Sequence, residues 1–190
     1  MCPSFASAQQ LLDKVLARIG IEAITRTDVQ AGVGLGLVEA TSADDPAALL
    51  QVVERQLVLN EVARFPPAEP PAAEIDQQVA AMKMRAGAAL EDLLRSTGLD
   101  ESRVRALARD TLRIRAYLAQ RFGTSTQVSD DEVRRYYEEH RDQFMRNGMP
   151  IPFEGAEADA RQRASAARLR TTVAQWLRDL QTRSQVVLVK

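Results

Sequence analysis

The chain has 190 residues, 45% of them hydrophobic and 27% charged, a balance that excludes wholesale disorder. Its net charge is −1 and its pI about 5.9, so no surplus of cations draws in nucleic acid non-specifically. One cysteine, Cys2, and one histidine, His140, exclude a disulfide framework and a CxxC site and leave little material for a zinc centre.

Residues 1–13 are expected to be flexible or a signal-peptide remnant. Ala6-Ser7-Ala8 followed by Gln9-Gln10 has the small-x-small form of a signal-peptidase site, without the charged and apolar stretches that precede one. Alternation over residues 14–19 predicts a strand punctuated by Gly20, and Ala23-Ile24-Thr25 a short return strand. Thr27 with Gln30 fits a capping box that opens a helix. Gly32, Gly34 and Gly36 weaken that helix, each by about 1 kcal/mol relative to alanine.

Asp44-Asp45-Pro46 places carboxylates and an N1 proline at the start of the next helix, whose apolar stripe is Leu49, Val53 and Leu57, widened by Val52 and Val62. Pro66, Pro67, Pro70 and Pro71 stop it and form a stiff connector. A helix with Ile75, Val79 and Met82 on one face runs to about Gly87, and a short one carrying Leu90, Leu93 and Leu94 ends at Gly98.

The strongest helical periodicity follows, in Val104, Leu107, Ala108, Thr111, Ile114, Leu118 and Phe122, with Arg103, Arg109, Arg113 and Arg121 largely off that face. A capping box of Ser129 and Glu132 opens a helix bearing Val133, Tyr136, Tyr137, His140 and Phe144, which fades into a loop at Asn147-Gly148, Pro150 and Pro152. A long helix is predicted from about Glu157 to Arg183, with Ala166, Leu169, Val173, Trp176, Leu177 and Leu180 on one side. The β-branched run 186–189 reads as a strand whose only partners are the N-terminal strands, so the two ends of the chain should meet.

The residues with chemical potential favour bland roles. Gly32-Val33-Gly34-Leu35-Gly36 lacks the lysine of a phosphate loop and follows no GxGxxG spacing. No serine stands in a GxSxG elbow to use His140. Asp130-Asp131 and Glu138-Glu139 are sequence neighbours, which point about 100° apart on a helix and cannot act as a facing acid/base pair. The arginines on the long periodic helix read as a solvated face. Met82 reads as core, whereas Met145 and Met149, beside the Gly/Pro loop, suit an adaptable surface.

Three segments resemble the SurA-type periplasmic chaperones. Asp13-Lys14-Val15-Leu16-Ala17-Arg18-Ile19-Gly20 through Ala23-Ile24-Thr25 to Thr27-Asp28-Val29 resembles their opening hairpin. Val128-Ser129-Asp130-Asp131-Glu132-Val133, with Tyr136-Tyr137, His140 and Phe144, resembles the segment that precedes their parvulin isomerase domain. Trp176-Leu177-Arg178-Asp179-Leu180 and the closing strand resemble their C-terminal portion. Only Met145 to Gly155 stand where many relatives carry the isomerase.

The resemblance implies a mainly α fold, a multi-helix chaperone core with a small β-sheet formed by N-terminal and C-terminal strands. As a single domain it would comprise an N-terminal part (14–144), a loop in place of the parvulin domain (145–156) and a C-terminal helix and strand (157–190). It implies a non-catalytic periplasmic or cell-envelope chaperone without cofactor, isomerase activity or stable membrane insertion, able to form a homodimer. Its partners would be unfolded or outer-membrane client polypeptides rather than nucleic acid. The alternative is a specific partner-binding or assembly subunit of the envelope. Phe65, Met84, Met145, Met149 and Phe153, apolar residues at loops and helix edges, are the expected client contacts.

Overall fold

The computed structural model describes residues 13–123 and 127–189; Cys2 and the Ala6-Ser7-Ala8 site lie outside the described residues. The chain opens with strands β1 (Val15–Ile19) and β2 (Glu22–Thr25) and closes with β5 (Val186–Leu188). Between them lie helices α1 (Arg26–Gly34), α2 (Pro46–Arg64), α3 (Ala72–Ala86), α4 (Leu90–Thr97), α5 (Glu101–Phe122) and α6 (Asp130–Glu139). A hairpin of β3 (Met145–Arg146) and β4 (Met149–Pro150) then leads into the long helix α7 (Phe153–Arg183). The fold is mainly α with a small antiparallel sheet, ordered β2-β1-β5.

The sheet joins head to tail as the sequence pattern requires. Ala17 pairs with Leu188, Arg18 with Val187 and Ile19 with Val186. The Val189 amide continues the pairing by donating to the Leu16 carbonyl at 2.9 Å. Because side chains alternate across a strand, Ala17, Ile19 and Val186 face the helices, whereas Arg18 and Val187 face outward. Against the inner face pack Val52, Val53, Leu57 and Val62 of α2 and Trp176 and Leu180 of α7, forming the main hydrophobic cluster.

A second cluster joins Leu35 to Ile75, Val79 and Met82 of α3 and Val104 and Ala108 of α5. A third is built separately from Val133 and Tyr137 of α6, Phe144, and Ala156 and Ala160 of α7. The 31-residue helix α7 thus crosses two cores, lending its N-terminal half to the third cluster and its C-terminal half to the first.

Four local expectations are corrected. The first helix opens two residues early: Thr25, not Thr27, is its N-cap, and the box closes with Asp28 rather than Gln30. Strand β2 carries the chain to Thr25, so the first free amides belong to the residues just after it, and Thr27 turns instead to Asp13. The glycines expected only to weaken the helix have positions that need them: a Cβ on Gly34 would sit 2.6 Å from Leu93, and Gly36 adopts φ +66° to turn the chain out. On α5, Tyr117 is buried beside Trp176, a position the apolar count passed over because its hydroxyl marks it as half polar.

The fourth correction concerns residues 145–156, which are not a simple loop. Asn147 (φ 51°) and Gly148 (φ 78°) form the two-residue turn between β3 and β4, both in the left-handed region that such tight hairpins demand. Helix α7 then starts at Phe153, not Glu157, because Pro152 takes the N-cap position and Phe153 packs on Tyr137 with ring centroids 5.5 Å apart.

Candidate functional site

Beside the sheet the structure opens a half-enclosed recess of about 470 Å³, large enough for one or two bulky side chains. Its walls come from β2 (Glu22, Ala23, Ile24), α1 (Thr27, Asp28, Ala31), α2 (Val52, Arg55, Gln56, Leu59), the α4–α5 turn (Leu99) and α5 (Arg103, Leu107, Asp110). Strand β2 is an edge of the sheet, with no strand partner on one side among the described residues, and three of its residues line the cavity. Sequence places these walls together because the β1–β2 hairpin returns directly into α1, and the long α2 and α5 cross behind it.

Charges in the recess differ in how they are satisfied. Glu22 accepts from Gln56 at 3.1 Å and Asn60 at 3.0 Å. Asp28 accepts from the Thr25 amide and hydroxyl, each at 2.9 Å. Asp110 lies 3.7 Å from Arg113. Arg55, by contrast, donates to the Leu107 carbonyl at 3.2 Å and the Thr111 hydroxyl at 2.9 Å, and has no ion-pair partner among the described residues. Burial pushes its guanidinium below the ordinary arginine value, offset in part by the field of Asp110. Arg103 is exposed at the rim, also without an ion-pair partner among the described residues.

None of the five expected client residues lines this recess. Phe65 caps the C-terminus of α2 and is 63% exposed, and Met84 on α3 is 80% exposed. Met145 and Met149 are both exposed on the β3–β4 hairpin but not paired: Met145 stands opposite Pro150 and Met149 opposite Arg146, which puts them on opposite faces. Phe153 is half-buried in the third cluster under the Arg134 guanidinium, 4.2 Å from its ring centroid. It supports the hairpin from below and offers little of itself to a partner.

Sequence reading missed Arg55. Its one signal is a cation inside the run Val52-Val53-Glu54-Arg55-Gln56-Leu57, flanked by the most apolar turns of α2.

The other candidates fall into structural roles. His140 ends α6, with Nδ1 2.9 Å from the Tyr136 carbonyl and its ring stacked on Tyr136 at 4.1 Å. Arg109 pairs with Glu69, Arg113 with Asp110, and Arg121 lies over Trp176, which leaves Arg103 as the cation of that stripe without such company. Among the described residues no group of acids, histidines or cysteines could hold a metal ion, and no helix is long and apolar enough to cross a membrane. No protein-family model matches the sequence, and no curated protein is significantly similar to it.

Proposed function

We propose that the protein is a non-catalytic, chaperone-like binder of unfolded or partly folded polypeptides in the cell envelope, similar to the core of SurA-type chaperones. The observation that carries this reading is the recess of about 470 Å³ beside β2, a sheet edge with no strand partner on one side among the described residues. An extended client segment can satisfy its backbone on the edge while burying side chains in the cavity. Exposed Phe65, Met84, Met145 and Met149 add adaptable apolar surface away from it, suited to weak contacts with varied sequences. Affinity for any one segment is expected to be modest, since ordering a disordered client offsets much of the burial. The resemblance of the opening hairpin, the Ser129–Phe144 segment and the closing helix and strand to SurA-type chaperones supports the same class.

The test measures binding to a panel of unrelated unfolded peptides, together with suppression of aggregation of a chemically denatured client protein. Weak binding to several peptides with suppression is the expected result. Tight binding to a single member with none to the rest would replace this reading with the dedicated assembly subunit. Turnover of a prolyl peptide would overturn the non-catalytic assignment.

A further inference from the structure

Within that polypeptide-binding reading, we infer that the recess recognises the C-terminal residue of an extended chain, its free carboxylate held by Arg55 and Arg103 and its apolar side chain against Leu59, Leu99 and Leu107. By count the lining holds three acids, Glu22, Asp28 and Asp110, and two arginines. Glu22 and Asp28, held by neutral donors, keep their negative charge, so what favours a carboxylate is local: which groups still have free hydrogen-bonding capacity. Each acid already has hydrogen-bond donors or a cation of its own, from Gln56 and Asn60, from Thr25, and from Arg113. Neither guanidinium has an ion-pair partner among the described residues, and Arg55 is bound only to a carbonyl and a hydroxyl on one of its nitrogens. A desolvated guanidinium anchored in this way presents its remaining N–H groups in fixed directions, the arrangement that recognises a carboxylate best.

The remaining features choose among sources of the carboxylate. Strand β2, a sheet edge without a strand partner among the described residues, lies beside the cavity, and such an edge offers main-chain donors and acceptors that a polypeptide uses and a small acid does not. The recess also joins cations to apolar wall within a volume of one or two side chains. A C-terminal residue meets both at once, with its carboxylate and its side chain. An internal aspartate or glutamate would spend its side chain on the arginines and leave the leucines uncovered.

The test uses the full chain and a fluorescein-labelled heptapeptide of alternating valine and serine ending in leucine, as free acid and as C-terminal amide, followed by fluorescence anisotropy. A third peptide has an amidated end and one internal aspartate. The free acid is expected to bind about tenfold or more tighter than the amide, the range of a charge-assisted hydrogen-bonded contact. The preference should shrink as salt is raised. Arg103→Gln, at an exposed position, should lower the acid-to-amide ratio about threefold or more with an unchanged melting curve. Arg55→Lys should lower it further; if it fails to fold, because Arg55 also ties α2 to α5, Arg103→Gln decides alone. Equal, measurable binding of acid and amide overturns the inference and leaves the broader polypeptide reading standing. Equal binding of the free acid and the internal-aspartate peptide overturns the terminus in favour of a side-chain carboxylate. Binding of none of the three, alongside an inactive aggregation assay, overturns both readings.

Discussion

Ser129 and Glu132 show how one residue pair starts a helix and sets a pH response. The Ser129 hydroxyl accepts from the Glu132 amide at 3.3 Å, and the Glu132 carboxylate accepts from the Ser129 amide at 2.8 Å, so two amides that α6 would leave orphaned are satisfied. Those bonds, with Arg168 at 2.8 Å, hold the Glu132 carboxyl below its ordinary value. A carboxylate depressed in the folded state stabilises above its unfolded pKa, and that contribution is lost as pH falls through the folded value. Ser129→Ala should therefore cost about 1 kcal/mol at neutral pH. Its penalty should narrow in acid below the usual glutamate range, where Glu132 is protonated and the box is already weakened. Urea unfolding of both proteins at neutral and acidic pH checks this, and a penalty independent of pH would show that Glu132 contributes nothing through its charge. This box was legible in the sequence because Ser and Glu three apart precede an apolar run. The box at Thr25 was misplaced by two residues, since Thr25 and Thr27 are both good caps and only the length of β2 decides between them.

Helix α6, the β3–β4 hairpin and the first turns of α7 form an element of their own around Phe144. That ring is almost fully buried, 5.2 Å from Tyr137 and under the Arg163 guanidinium at 5.4 Å. The Tyr137 hydroxyl donates to the Ile151 carbonyl at 2.7 Å, fixing the short link between β4 and α7. The start of the helix was readable from its capping box, but it ends at Glu139 rather than fading at Asn147-Gly148: His140 leaves helical geometry and a short 3-10 turn carries the chain to Phe144. The hairpin was not readable, although Asn147-Gly148 is a strong turn signal, because two-residue strands carry too little alternation to be noticed. No buried residue is shared between this cluster and the main one, so the two should respond differently to damage. Phe144→Ala should cost about 3–5 kcal/mol within the third cluster. The single tryptophan, Trp176, sits in the main cluster and reports only on that core. Heating the variant should lose part of the helical circular dichroism at temperatures where Trp176 fluorescence is still native. Coincident loss of both signals would mean that α7 couples the clusters into one cooperative unit.

At the scale of the whole molecule, the sheet ties the chain's ends across every helix between them, and a local periodicity argument reached it by elimination. The run 186–189 had no neighbour in sequence to pair with, so the β1–β2 hairpin was its only partner. The recess was less legible, because its walls come from β2, α1, α2 and α5, separated by up to several tens of residues, and no motif marks such a meeting. Phe65 and Met84, expected as client contacts, are exposed but do not line it. The sheet's register can be tested by parity. Val186 faces the main cluster opposite Ile19, while Val187 faces outward opposite Arg18. Val186→Asp would place a carboxylate against apolar neighbours and should cost about 2–3 kcal/mol in urea unfolding. Val187→Asp should stay within about 0.5 kcal/mol of the parent, since its carboxylate reaches solvent and stands across from a cation. A slip of one residue would exchange the two faces and reverse the order. Equal penalties would mean that the tail is not held in this register, and with it would go the rigid support for the β2 edge on which the proposed polypeptide binding rests.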